Sequence, residues 1–207
     1  MFGWLFQPSC PVDPAAKAWI EERFAWLCDQ YGLDLFARNR MILPTPEFFP
    51  DPYDATRESV CVLIDRVAEY MRVPNEHIKL RLYSEAQRPS FVDANGYAIG
   101  GSAGMYKPGT IHTIYLEKSH LHDPLPLIGT IAHELSHARL LGEDRIDPEV
   151  FDHELTTDLN VVFHGMGIFL ANAPRHWDSD FTNWPGSDLK KPEYMTTPMF
   201  AYALALW

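Results

Sequence analysis

One helical segment, residues 124–141, constrains this chain more than any other part of its sequence. An Asp-Pro pair is suited to start the helix and Gly142 to end it. His133 and His137 lie four residues apart, so both imidazoles should project from the same side, one turn apart. The apolar face of the predicted helix consists of Leu127, Ile128, Ile131, Leu135 and Ala138.

The two histidines belong to the pattern H-E-x-x-H, which is suited to binding zinc. Two imidazole nitrogens one turn apart can bind one Zn²⁺, and a catalytic zinc usually has three protein ligands and one open position. Glu134 would lie beside a water molecule in that position, where it could accept a proton. We predict His133 and His137 as Zn²⁺ ligands and Glu134 as the general base.

A third ligand is expected from a second helix, which the pair Asp147-Pro148 should begin. Glu154 and Asp158 are one turn apart on this helix, so both carboxylates can face the first helix. We predict Glu154 as the third ligand and Asp158 as the acceptor for the second ring nitrogen of a ligand histidine. His153 is an alternative nitrogen ligand, but it lies about 100° around the helix from Glu154.

These motifs resemble those of the gluzincin zinc metallopeptidases, the thermolysin-like group, over roughly residues 100–170. In that group H-E-x-x-H on one helix is followed by E-x-x-x-D on the next. The resemblance implies a minimal zincin-like domain that hydrolyses peptide bonds. It implies ligands at His133, His137 and Glu154, the base at Glu134, and an orienting carboxylate at Asp158.

The resemblance also points to residues that would contact a substrate. It implies an edge strand before the metal helix that binds the substrate backbone by strand addition, for which residues 103–106 or their hairpin partner are candidates. The group uses a downstream His or Tyr to stabilise the oxyanion, and His164 and Tyr106 are the candidates here. Packing against the core is the competing interpretation of both side chains. The chain departs from many members at His153, where they have an Asn.

Two further histidines, His120 and His122, flank the start of the metal helix. They could indicate a second metal site, but no third partner is evident in the sequence. We therefore interpret them as part of a polar loop.

Composition bears on partners and location. A formal net charge of -11 would repel a phosphate backbone, so we expect no nucleic-acid partner. The three cysteines form no C-x-x-C pair, which favours a reducing compartment. The apolar start MFGWLFQ lacks a basic region and breaks at Pro8, so we expect no membrane span and a cytoplasmic protein. The oligomeric state stays open.

The remaining pattern predicts an α+β fold. Residues 13–73 contain two amphipathic helices, the first from Pro14 to Gly32 and the second from about Asp54 to Arg72. Residues 78–83 alternate as a strand does, and residues 96–106 and 111–116 predict two antiparallel strands around a Pro-Gly turn.

We therefore expect a single domain over residues 1–207. A small, mostly antiparallel sheet packs on helices within residues 78–171, with the metal site between two helices, and residues 172–207 wrap irregularly over this core.

The function that this pattern favours is Zn²⁺-dependent hydrolysis of a peptide or protein substrate. A catalytically inactive metal-binding module that binds an extended peptide is the alternative, although a purely structural zinc site would need no base at Glu134. A bacterial effector or toxin-like protease with one partner protein as its substrate is a third possibility.

Overall fold

The computed structural model describes residues 10, 12–87, 91–92, 98–99, 104–107, 111–173, 182–183, 190–191 and 194–207. Within these residues the protein is α+β and mostly helical, which confirms the predicted class. The helices are α1 (Pro14–Tyr31), α2 (Leu33–Arg38), α3 (Arg57–Met71), α4 (Pro124–Leu140), α5 (His153–Phe163), α6 (Gly167–Ala171) and α7 (Thr197–Leu206). The strands are β1 (Ile78–Tyr83), β2 (Phe91–Val92), β3 (Ala98–Ile99), β4 (Gly104–Lys107), β5 (His112–Glu117), β6 (Thr182–Asn183) and β7 (Lys190–Lys191).

The first helix begins and ends where its sequence signals predict. The Asp13 carboxylate accepts a hydrogen bond from the Ala15 amide at 2.8 Å and so caps α1. Gly32, with φ +88°, ends the helix and leads directly into the short α2, which the sequence pattern did not predict. The second amphipathic helix is α3, which was expected to begin near Asp54 and begins at Arg57, with the Thr56 hydroxyl as its cap.

The main sheet has the strand order β1-β5-β4. Strands β4 and β5 pair antiparallel, as predicted, with Tyr106 opposite Ile114. Strand β1 pairs parallel with β5, with Ile78 opposite His112, so the sheet is mixed and not mostly antiparallel. A parallel pair requires a long crossover, and the chain between β1 and β5 is long enough to provide it. The predicted Pro-Gly turn lies outside the described residues.

Helices α4 and α5 pack against each other, and most residues of both are buried. A polar bridge joins them, since the buried Ser136 hydroxyl donates to the carbonyl of Thr157 at 2.9 Å. The same hydroxyl accepts a hydrogen bond from the Asn160 amide group, also at 2.9 Å. These bonds keep the two helices from sliding past each other.

The predicted start of α5 at Asp147-Pro148 is wrong, because the helix begins at His153. The Asp147 carboxylate accepts from the Glu149 amide at 2.9 Å and so forms a local turn instead of a helix cap. The buried Asp152 carboxylate is committed to α1, where it accepts from Trp19 Nε1 at 2.6 Å and from Arg23 Nε at 2.8 Å.

The end of α5 is tied to the loop after α2. Gly165, with φ +83°, accepts a hydrogen bond from the Ile42 amide at 2.9 Å. The Asn39 side chain donates to the carbonyl of Phe163 at 2.9 Å. A Cβ on Gly165 would collide with the carbonyl of Arg40, so this close approach requires glycine.

The predicted C-terminal wrap is described only in part, since residues 174–181, 184–189 and 192–193 lie outside the described residues. Its last section is α7, and the buried Phe200 and Met199 of this helix belong to the main core. In the described part of the chain, none of the helices has the length and apolar character needed to span a membrane.

Candidate metal centre

The three predicted ligands converge at the interface of α4 and α5. Ligand atoms of His133, His137 and Glu154 all lie within 4.8 Å of one another. Glu154 Oε2 is 3.1 Å from His133 Nε2 and 3.5 Å from His137 Nε2. These are ion-pair distances, but Oε2 forms no hydrogen bond of regular geometry with any described group. The ligand atoms of the three side chains therefore point to one common position, where a single metal ion would contact all three.

This donor set fits Zn²⁺. Two imidazole nitrogens and one carboxylate oxygen are common ligands of catalytic zinc, and metal–ligand bonds of about 2.0–2.2 Å at tetrahedral angles put neighbouring ligand atoms about 3.4 Å apart. The two distances from Glu154 to the histidines, 3.1 Å and 3.5 Å, lie close to that value. Three ligands leave a fourth position for solvent or substrate.

His133 is oriented by Asp158, as the sequence predicts. Its Nδ1 lies 2.9 Å from Asp158 Oδ1, and the other carboxylate oxygen accepts from the Met195 amide at 3.0 Å. Because a carboxylate only accepts, His133 Nδ1 carries the hydrogen and Nε2 points to the candidate site. Burial opposes protonation of His133, but Asp158 and Glu154 outweigh it and raise its pKa to about 10.

Glu154 has a partner of its own on the same helix. Its second oxygen, Oε1, lies 3.1 Å from His153 Nε2, while His153 Nδ1 faces the carbonyl of Val150 at 3.2 Å. Burial alone would raise the pKa of Glu154, but the neighbouring His137 and the contacts with His133 and His153 lower it well below its ordinary value. The carboxylate is therefore ionised, as a metal ligand must be.

Glu134 is almost completely buried beside these ligands and makes no hydrogen bond or ion pair with any residue that the structure describes. Burial raises the pKa of its carboxyl group, and the nearby His133 and His137 oppose that rise. A carboxylate that lies next to a candidate metal site and has no partner among the described residues can accept a proton from water, and a raised pKa suits that role.

His137 contacts Thr157, a residue of α5 that the sequence interpretation did not include. Thr157 Oγ1 lies 3.4 Å from His137 Nδ1 and also donates to the carbonyl of His153 at 2.8 Å. The sequence spacing could have identified Thr157, since it lies one helical turn after His153 and directly before Asp158.

His164 is not brought to this site. It follows α5 ten residues after Glu154, about 15 Å along a helix axis. The ring is buried against Tyr31 and Phe163, and Nδ1 lies 2.9 Å from the carbonyl of Asn160. Burial lowers the pKa of His164 to about 3, since the Asn160 contact only partly opposes it. Its described contacts are those of a core side chain.

The other sequence candidates lie around the centre or apart from it. Tyr106 belongs to β4, at the edge of the sheet, and its side chain lies outside the description. His153 contacts Glu154 but is not part of the three-ligand group. His120 and His122 are exposed, and no metal-ligand group within the described ranges contains them.

The C-terminal segment reaches the centre, which the sequence interpretation did not predict. The ring of Tyr194 lies 5.8 Å from that of His133, and the next residue, Met195, is buried and bonded to Asp158. No local pattern marks these residues, because they contact the centre only through the folding of the tail onto it.

No protein-family model, curated protein or solved structure matches this chain.

Proposed function

We propose that this protein is a zinc-dependent peptidase whose ligands are His133, His137 and Glu154 and whose general base is Glu134. The observation that carries the proposal is the convergence of the three ligand atoms next to a buried carboxylate without a described partner. A purely structural zinc site is usually closed by a fourth protein ligand and needs no base. The gluzincin resemblance of the two motifs supports the same reaction.

The residues divide the chemistry between them. Bound Zn²⁺ would polarise the substrate carbonyl and lower the pKa of water in the open position to about 7. Glu134 takes the proton from the attacking water and delivers it to the leaving amine. Asp158 and His153 hold the side chains of His133 and Glu154 in the geometry that the reaction needs.

The substrate would bind as an extended strand along β4. This strand is one of the two edge strands of the three-stranded sheet, and it packs against α4, which carries both histidines. An exposed strand edge offers backbone donors and acceptors to an added peptide strand. The proposed substrate is therefore a peptide or an extended segment of a protein.

The experiment combines metal content with cleavage of a broad peptide library. We expect one Zn²⁺ per wild-type chain, with Glu134→Gln retaining the metal but losing at least about 100-fold in cleavage rate. His137→Ala should lose both. Glu149→Gln and His122→Ala, at exposed positions, serve as matched controls and should behave as wild type.

Three results would contradict the proposal in different ways. If Glu134→Gln cleaves peptides as fast as the wild type, Glu134 is not the base. If the wild type binds metal but cleaves nothing, the protein is a metal-containing peptide-binding module. Wild-type protein without stoichiometric metal would exclude both functions.

A further inference from the structure

Thr157 faces the second ligand histidine in a way that determines where that ring carries its hydrogen. Its hydroxyl has one hydrogen, and this hydrogen is donated to the carbonyl of His153 at 2.8 Å, because a carbonyl can only accept. The lone pairs of the same oxygen are then directed at His137 Nδ1, 3.4 Å away. Thr157 is almost completely buried, so water does not compete readily for this position.

We propose that Thr157 is a positioning residue that holds His137 in the tautomer with hydrogen on Nδ1, so that the lone pair of Nε2 faces the metal. The inference rests on the metal site proposed above. Asp158 likewise holds a hydrogen on Nδ1 of His133, because a carboxylate accepts from Nδ1. Helix α5 thus presets both ligand histidines of α4, one through a carboxylate and one through a hydroxyl.

The chain contains a matched control next to this residue. Thr156 is also a buried threonine of α5, and its hydroxyl has no hydrogen-bond partner within the part of the chain that the structure describes. Replacing threonine by valine removes the hydroxyl and keeps the branched shape. Thr156→Val and Thr157→Val therefore make the same replacement, but only Thr157→Val removes the contact with His137 and the hydrogen bond to the carbonyl of His153.

The first measurement is the affinity for Zn²⁺, obtained by competition with a chelating dye. We expect Thr157→Val to bind Zn²⁺ about 10–100-fold more weakly than the wild type, as is typical when the partner of a ligand histidine is lost. Thr156→Val and Thr157→Ser, which keeps the hydroxyl, should stay within about twofold of wild type on the same reasoning. Equal affinities of Thr157→Val and wild type would overturn the proposal.

The second measurement is a long-range ¹H–¹⁵N NMR spectrum of the metal-free wild type, which reports whether each ring nitrogen of His137 carries a hydrogen. We expect the hydrogen of His137 on Nδ1. A hydrogen on Nε2 with none on Nδ1 would overturn the proposal even if Thr157→Val does not fold. This spectrum requires no metal, so its result is separate from the test of the proposed function. A wild-type protein that binds no Zn²⁺ would reject the peptidase proposal. The position of the hydrogen on His137 decides the role of Thr157.

Discussion

His164 should make the protein less stable in mild acid, and the variant His164→Asn should remove that effect. The native ring is buried, its pKa is about 3, and Nδ1 lies 2.9 Å from the Asn160 carbonyl. In the unfolded chain a histidine has an ordinary pKa of about 6.5. Asparagine can place an amide nitrogen near the position of Nδ1 and does not titrate.

The sign and size follow from these two pKa values. Because the pKa of His164 is lowered on folding, the unfolded chain binds more protons between about pH 6.5 and pH 3, and stability falls as the pH falls through that window. Between about pH 7 and pH 5 the native ring stays neutral while the unfolded ring becomes protonated, which removes about 2 kcal/mol of unfolding free energy. The contribution is fully present above about pH 6.5.

The assay is urea unfolding of wild type and His164→Asn at several pH values between about 7 and 5. The variant is expected to be less stable at neutral pH, since the smaller side chain leaves a cavity beside Tyr31 and Phe163. Its loss of stability on acidification should be about 2 kcal/mol smaller than that of wild type. Parallel pH profiles would refute the reasoning. Metal content should be unchanged, because His164 is remote from the ligands.

Four further outcomes are expected from the packing around the centre. Asp152→Ala should lower the unfolding free energy by about 3 kcal/mol, because the groups that donate to this buried carboxylate lose their acceptor. In the same urea assay, Asp51→Ala should cost less than about 1 kcal/mol, because Asp51 belongs to an exposed ion pair. Gly165→Ala should cost at least about 2 kcal/mol more than Gly32→Ala, since both have positive φ but only the former collides with backbone; equal losses would contradict this. Ser136→Ala should cost about 1–3 kcal/mol in thermal or urea unfolding, because it removes the bridge between α4 and α5. A chelator should leave the helical circular dichroism intact, since buried polar groups of these helices pair with each other; unfolding on chelation would contradict this.

The elements that could be predicted from the sequence are those whose signals are local. Helix α1 has its cap at Asp13 and its stop at Gly32, and both lie next to the residues that they affect. The start of α5 could not be predicted in this way, because Asp147 forms a turn and Asp152 is recruited by α1, which is distant in sequence. The parallel pairing of β1 with β5 is also a tertiary choice, since an alternating strand pattern does not specify its neighbour.

The residues of the candidate site also divide into those that local sequence patterns predict and those that only tertiary contacts bring together. Helical periodicity alone brings His133 and His137 to one face of α4, and it also places Glu154 and Asp158 one turn apart. The second partner of Asp158 is the amide of Met195, 37 residues further along the chain, and no pattern in the sequence connects them. Every residue other than proline has a backbone amide, so the sequence does not mark which amide will bind Asp158, and the contact is found only in the folded structure.

The register between α4 and α5 explains why the candidate ligands meet. The two helices carry the same spacing of polar residues, His133, Ser136 and His137 on α4 and Glu154, Thr157 and Asp158 on α5. A slip of one turn, about 5.4 Å, would separate His133 from Asp158 and remove the Ser136 bridge. Each buried polar group left unpaired would cost about 1–3 kcal/mol, a large share of the stability of an ordinary domain. Apolar contacts alone would separate the possible registers of these two helices less sharply than the polar pairs do. The polar pairs therefore select one register, and the same register brings Glu154 to the two histidines.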